Sequence, residues 1–453
     1  MPEDVARGGD ILPPARPTPG AGTRNPEPGT RTSHMLGGQM GMPVTRRGFL
    51  RVSGACVFGA SLNAQADRLE SRAHEVLRDY DAQGEHRTGT VVDRASGEWL
   101  REQVTRAGGA VRVLPFALDR VDVRAAFLEV DGRRFDGLPF FDGGVTTSDG
   151  VAAPAGPTGI RVVTADAAAV ATEGEFLAEE RRAGRVRAIV VLTQGGVPGL
   201  IPSNARHFTE PYGCPVLQVP SSARAPLDAA AAAGRPIRVV CDTARTRADS
   251  FNVIADCPGR DPSLAPVVVI TPRSGWWTCA SERGGGLACW LEAIRAAADA
   301  RPARRVLAVA SSGHELGHLG LEAFLHADAD LLGRAHAWVH LGANIGAGAP
   351  GTRVTGVRLQ SSDESLADRA GAALDVAGAP IADRLPPGQI PRGEARNLHV
   401  GGARYLSLLG QGNRWFHHQD DRYPATVSAA VVARYAQAVA AFVVDLARAP
   451  RRD

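Results

Sequence analysis

Three uninterrupted apolar runs, Val267–Ile270, Val306–Ala310 and Ala337–Leu341, constrain this chain more than any other feature in it. A strand that is apolar at every position has no face to give to water, so it belongs inside a sheet covered on both sides. Helical spacing fills the gaps between the runs, over Gly286–Ala298 and Leu319–Leu325. This alternation predicts parallel strands joined by crossover helices, an α/β sandwich. Beyond it, Ser361–Val376 is expected to be helical, Tyr405–Leu409 a strand, and Val427–Arg448, rich in Ala and Val, a long closing helix.

Upstream, helices are expected over Asp67–Tyr80 and Glu98–Ala107, and strands over Arg112–Leu118 and Ala125–Val130. From about 126 to 250 the texture changes to short strand-like pieces, Gly159–Val163, Ala188–Leu192, Pro215–Val219 and Ile237–Cys241, separated by turns. We read this stretch as a compact inserted domain with no catalytic cluster of its own. A chain of 453 residues has room for two or three such units.

The net charge of +3 gives no bulk attraction to nucleic acid, and no nucleic-acid partner is expected. No apolar run reaches the ~18 residues of a membrane span, so none is expected either. The partner is instead a small molecule or short peptide; the oligomeric state is left open. Residues 1–44, rich in Pro, Gly and Arg, are expected to be disordered, with translation starting as late as Met35, Met40 or Met42. Thr45–Arg51 contains a twin-arginine export pattern, followed by a weakly apolar stretch from Val52 to Leu62 and by Ala64-Gln65-Ala66, a small-residue cleavage site. Residues 1–66 are therefore read as leader, and the mature protein as periplasmic or secreted. Five cysteines follow the leader, an odd number without a Cys-x-x-Cys pair. A thiolate zinc site is not expected, while one or two disulfides are.

The chemistry centres on Gly313–Gly320, which reads two ways. His314-Glu315-x-x-His318 has the spacing that puts two imidazoles one helical turn apart on a metal. Against that, Val306–Ala310 ends only four residues earlier, and Gly313 and Gly317 are poor in a helix interior. The alternative is a strand ending in a carboxylate-bearing turn, with Glu315 as the ligand and His314 doing another job.

With its flanks, the pattern resembles the zinc aminopeptidases and glutaminyl cyclases of clan MH, over about residues 70–450. The resemblance rests on Ser250–Ala255, Cys279–Ala288, Gly313–Gly320, Gly393-Glu394-Ala395 and Phe416–Asp421, in that order. It implies a three-layer αβα zinc-exopeptidase sandwich with a mixed sheet, built from 67–125 and 251–453, with a mainly-β protease-associated insert at 126–250. Pro272 and Gly342 stand where the family carries private ligands of a first metal, and Ser274 where it carries a supporting aspartate. The second set is implied to be Glu282, Glu315 and His418, holding one zinc ion and leaving a position for water. A zinc-bound water ionises near pH ~7, and His314 stands in the place of the general base.

Arg273 and Arg283 are expected to line the cleft, to hold an acidic substrate group and to stabilise the oxyanion. Arg414 flanks the terminal histidines, Trp276 is a candidate aromatic wall, and His340, Asn344 and His417 are further candidate contacts. The expected activity is metal-dependent hydrolysis of an amide or peptide bond in a small carboxylate-bearing substrate. An inactive scaffold that captures an anion and a zinc-dependent cyclase remain the alternatives. In the inactive case Glu282 and Glu315 merely cap helices.

Overall fold

The computed structural model describes residues 46–166, 177–194, 197, 199–349 and 351–448, with side chains from residue 64 onward. The expected disordered segment and the side chains of the twin-arginine pair lie outside the described residues.

Among the described residues, fourteen strands follow in chain order. They are β1 Ala110–Val130, β2 Arg133–Asp136, β3 Leu138–Pro139, β4 Val151–Pro154, β5 Ile160–Asp166, β6 Ala188–Gln194 and β7 Val216–Pro220. Then come β8 Pro236–Cys257, β9 Val267–Pro272, β10 Val306–Ser311, β11 Ala337–Leu341, β12 Val357–Ser361, β13 Ile381–Leu385 and β14 Tyr405–Gly410. A mixed main sheet runs β13-β12-β14-β11-β9-β10-β8-β1-β2, with β4 paired to β8. Its centre is parallel, β9 lying between β10 and β11.

The central strands alternate between two cores, which is why they are apolar throughout. Val267 and Val269 of β9 join Leu77, Leu100, Leu287 and Val439 on one face. Val268 and Ile270 join Leu321, Phe324 and Leu398 on the other. The helices Val91–Arg106, Gly285–Ala300, Glu364–Val376 and Ala429–Leu446 thus cover one side, and Leu319–Ala327 and Ala395–Val400 the other. This is the expected three-layer sandwich. Local chemistry sets the helix starts: Thr90 accepts from Asp93 N at 3.2 Å, and Asp363 from Leu366 N at 3.0 Å.

Four details differ from the sequence reading. The helix expected over Asp67–Tyr80 extends over Arg46–Asp81. The two strands expected before the insert are one, β1, because its partner β8 is equally long; the alternation breaks only at a register shift between Val123 and Ala125. The expected domain junctions fall inside these two strands. Ala429–Leu446 is by length and composition apolar enough to cross a membrane. Arg434 and Asp445 interrupt its sequence, and Val432, Val439 and Val443 bury it in the main core. Lastly, Cys214, Cys241, Cys257, Cys279 and Cys289 are all free thiols, so no disulfide joins the described residues.

A second sheet, β3-β7-β6-β5, lies within the inserted stretch, parallel except for β3. Its middle strand β6 again feeds two cores, through Val190 and Leu192 and through Ile189 and Val191.

Candidate functional site

The carboxyl ends of parallel strands gather loops and unpaired backbone at one edge of a sheet, the usual place for a ligand. Here the ends of β10, β11 and β14 border a cavity of about 350 Å³. His314, His340, Asn344, Arg392 and Arg414 line it, with Asn204 from the insert.

Beside it lies a closed, charged corner. Ala280–Gly284 forms a π-turn that leads into the helix Gly285–Ala300. Asp421 fastens that turn, accepting from Ser281 N at 3.0 Å, Glu282 N at 3.1 Å and Thr426 Oγ1 at 2.6 Å. Burial nevertheless pushes Asp421 up to about 6, against those bonds. The turn delivers Glu282 and Arg283, both 1% exposed. Arg283 Nη2 lies 2.7 Å from Glu282 Oε1, and Arg283 Nε donates to Ser274 O at 2.7 Å. The Nη2–Oε1 contact is out of line for a hydrogen bond, so both Glu282 oxygens and both Arg283 Nη atoms remain without one. Burial alone would raise the Glu282 pKa; Arg283 and then His417 outweigh it and hold the carboxyl well below the usual range.

His417 completes this corner. Its Nε2 is 3.5 Å from Glu282 Oε1, and its Nδ1, 2.8 Å from the Pro202 carbonyl, donates to it. The expected insert thus supplies no catalytic cluster among the described residues, but its backbone helps to position the site. Asn204 Oδ1 accepts from Trp276 Nε1 at 2.9 Å, and Ala205 N donates to Glu315 O at 2.8 Å.

The expected zinc ligands do not converge. Glu315 Oε1 accepts from Thr88 N at 2.8 Å and its Oε2 from Ser274 Oγ at 2.7 Å, so both oxygens are engaged in holding the turn. His418 Nδ1 accepts from Asp420 N at 3.0 Å, and the ring points towards Gly199 of the insert. Its neighbour His417, with φ at 56°, sends its ring the other way and faces Glu282 instead. Glu282 and His417 are two donors, one fewer than a catalytic zinc takes from protein, and a guanidinium already neutralises the carboxylate. Among the described residues no group of three or more His, Cys, Asp or Glu is placed to hold a metal ion. These residues do not fit the expected single zinc.

The two-histidine reading fails as well. His314–Leu316 is a single 3₁₀ turn, His318 has φ at 64°, and the helix begins only at Leu319. The two rings lie 4.9 Å apart, and His318 Nδ1 is 2.9 Å from Asn397 Oδ1.

His314 reaches the cavity with its Nδ1 3.7 Å from Glu394 Oε1. Burial, then Arg283, pulls its pKa well below the ordinary imidazole value. His340 Nδ1 lies 2.8 Å from Ser407 Oγ, its Nε2 has no partner, and burial brings its pKa down to about 4. Both rings are therefore neutral at pH 7.

Other expected contacts lie elsewhere. Arg273 is sealed beneath the cleft, donating to Asp93 O at 2.8 Å and Phe251 O at 2.7 Å, so it cannot meet a substrate. Trp276 packs on Phe141, ring centres 4.7 Å apart, and is core, not wall. His340, Asn344 and Arg414 do line the cavity. Sequence reading missed Arg392 and Asn204, which sit in loops without periodicity, and the Pro202 carbonyl, which no side-chain pattern can reveal. Left-handed φ angles supply one signal: Cys279, His318, Asn344 and His417 all carry one near this site. Such strain, of order 1 kcal/mol each, gathers where function requires it.

No family model matches this chain, and no curated protein matches it. Solved structures do. BSAP, a zinc aminopeptidase from Bacillus subtilis, superposes with a TM-score of 0.64 at 15% identity, covering 86% of this chain and 96% of that one. The aminopeptidase from Aneurinibacillus sp. strain AM-1 gives 0.62 at 15%, covering 85% and 94%. A peptidase M28 precursor from Shewanella amazonensis SB2B gives 0.67 at 16%, covering 85% and 96%. At these identities the likeness establishes architecture, and the chain has the fold of the zinc aminopeptidases.

Proposed function

We propose that the protein is an exported, peptidase-like hydrolase acting on an amide or peptide bond of a small carboxylate-bearing substrate. The observation that carries this reading is the cavity at the strand ends, where a neutral imidazole and two arginines meet in a zinc-aminopeptidase fold. Arg392 and Arg414 have no ion-pair partner among the described residues and bind the substrate carboxylate. Arg358, also on the cavity wall, is occupied by Asp383 at 2.6 Å. His314 takes a proton from the attacking water and returns it to the leaving amine. Asn344 offers its amide donor to the carbonyl oxygen as charge grows on it, and Asn413 Nδ2, donating to Asn344 Oδ1 at 2.7 Å, fixes which way that amide points. Export rests on the Thr45–Arg51 pattern alone.

A second reading has its own support. The engaged Glu315 and the Glu282–Arg283 pair favour a scaffold that captures the same acidic ligand without cutting it. Incubation with a panel of acidic dipeptides and N-acyl amino acids, followed by mass spectrometry, separates the two. Products heavier by one water in sum, and lost in His314→Gln, support the hydrolase. Saturable binding with every ligand recovered intact removes it and leaves the scaffold.

A further inference from the structure

We infer that Arg283 is the resident cation of this site: its guanidinium takes the place of a metal ion beside Glu282, and the site operates without a bound divalent metal. The inference concerns the site proposed above but does not require turnover.

Three independent observations carry it. The guanidinium is 1% exposed and spans the space between Glu282 Oε1, at 2.7 Å, and the Ser274 carbonyl, at 2.7 Å. Ser274 and Pro272 stand where the resemblance puts the residues that hold and support a first metal, so the side chain reaches into that metal's neighbourhood. A divalent ion placed against Glu282 and His417 would share one carboxylate with a fixed positive charge, in surroundings too dry to screen the repulsion.

Next, a second acidic group is withdrawn. Glu315 gives both oxygens to Thr88 N and Ser274 Oγ, which takes it out of the expected ligand set. Glu394 lies on the His314 side of the site, its Oε1 accepting from Ser311 Oγ at 2.6 Å. Finally, the private ligand that the resemblance puts at the Gly342 position cannot simply be restored. A Cβ at Gly342 would lie 2.9 Å from His340 Cε1 and 3.0 Å from Leu409 Cδ1, so the His340 ring occupies the room such a side chain would need. Each change alone is a lost ligand. Together they form one arrangement in which the positive charge is covalent and independent of metal supply.

The test measures zinc bound to the full chain by elemental mass spectrometry and follows Tm with chelator or with added zinc. The wild type is expected to carry no zinc and to show the same Tm under all three conditions. A stoichiometric zinc whose removal lowers Tm would overturn the inference. Arg283→Gln, which frees Glu282 and His417 as two protein donors to a zinc otherwise held by water, is expected to gain a small zinc-dependent rise in Tm, whereas Arg283→Lys, which keeps the charge, is not. A folded Arg283→Gln chain indifferent to zinc would show that the guanidinium is not what excludes the metal. Should that variant fail to fold, the wild-type measurement still decides. None of these readouts uses a substrate. A zinc-free chain that cuts nothing removes the hydrolase reading and leaves this one; a zinc-loaded chain that cuts removes this one and leaves the other.

Discussion

The corner around Glu282 and the cavity around His314 sit side by side and are built on opposite principles. In the first, a carboxylate, a guanidinium and an imidazole are packed out of water and answer one another's charge. In the second, imidazoles kept neutral by burial face open space edged by Arg392 and Arg414, which have no ion-pair partner among the described residues. The contrast separates two tasks that a bound metal would perform at once. One corner supplies a fixed field, and the other leaves groups free for a ligand.

The largest test of that contrast is Arg283→Met. Removing one partner of a buried pair leaves Glu282 charged with no counter-ion, and stability should fall by about 3–5 kcal/mol in urea unfolding at pH 7. A loss under about 1 kcal/mol would mean that the corner is not held by that pair.

The next effect depends on pH. His340 has a folded pKa of about 4 against 6.5 for the free side chain. As pH falls through 6.5 the unfolded chain takes up a proton that the folded chain refuses until about 4. The unfolded state binds more protons in that window, so stability declines as pH falls and levels off below it. At pH 5 the cost is about 2 kcal/mol. Asp421 has the opposite sign: its folded pKa, about 6, lies above the ordinary 3.8, so its contribution is lost as pH rises through that interval. Comparing wild type with His340→Gln isolates the histidine. The variant should show a shallower loss between pH 6.5 and 4, and an unchanged slope would mean that His340 titrates normally in the folded chain.

The smallest effect belongs to the rim. Arg414 is exposed and stacks on Trp415, with its guanidinium 4.9 Å from the ring centre. Arg414→Ala should weaken binding of an acidic dipeptide about tenfold, about 1.4 kcal/mol, in a calorimetric titration. Fold stability should stay within about 0.5 kcal/mol of wild type. Equal weakening towards a neutral dipeptide would show that the arginine packs against the ligand rather than binding its carboxylate.

The sheet was legible because β9, β10 and β11 are buried on both faces, and that requirement writes itself into every residue of the strand. The long strand β1 was read as two because its alternation breaks at the register shift after Val123. In the site, Glu282 and His417, far apart along the chain, do come within 3.5 Å of each other, and His314 lies on the neighbouring cavity. What sequence could not convey is direction. Adjacent histidines differ only in which way the backbone turns, and φ at His417 decides it. The depth of Arg273 was hidden for a similar reason. Its partners are the main-chain carbonyls of Asp93 and Phe251 together with the Asp93 carboxylate at 2.8 Å, 180 residues away in the chain, and no local pattern announces that pairing.

The strands β1 and β8 pair from Ala110 opposite Asp256 to Glu129 opposite Arg238, with one register shift after Val123, through both places where a domain boundary was expected. A linker would let the insert swing; a continuous ladder makes it a bracket welded to the main sheet. The bracket carries Pro202, whose carbonyl sets the His417 ring, and Asn204 on the cavity wall. The His417 ring and one side of the pocket thus rest on a segment that the two-stranded ladder ties to the main sheet at both ends.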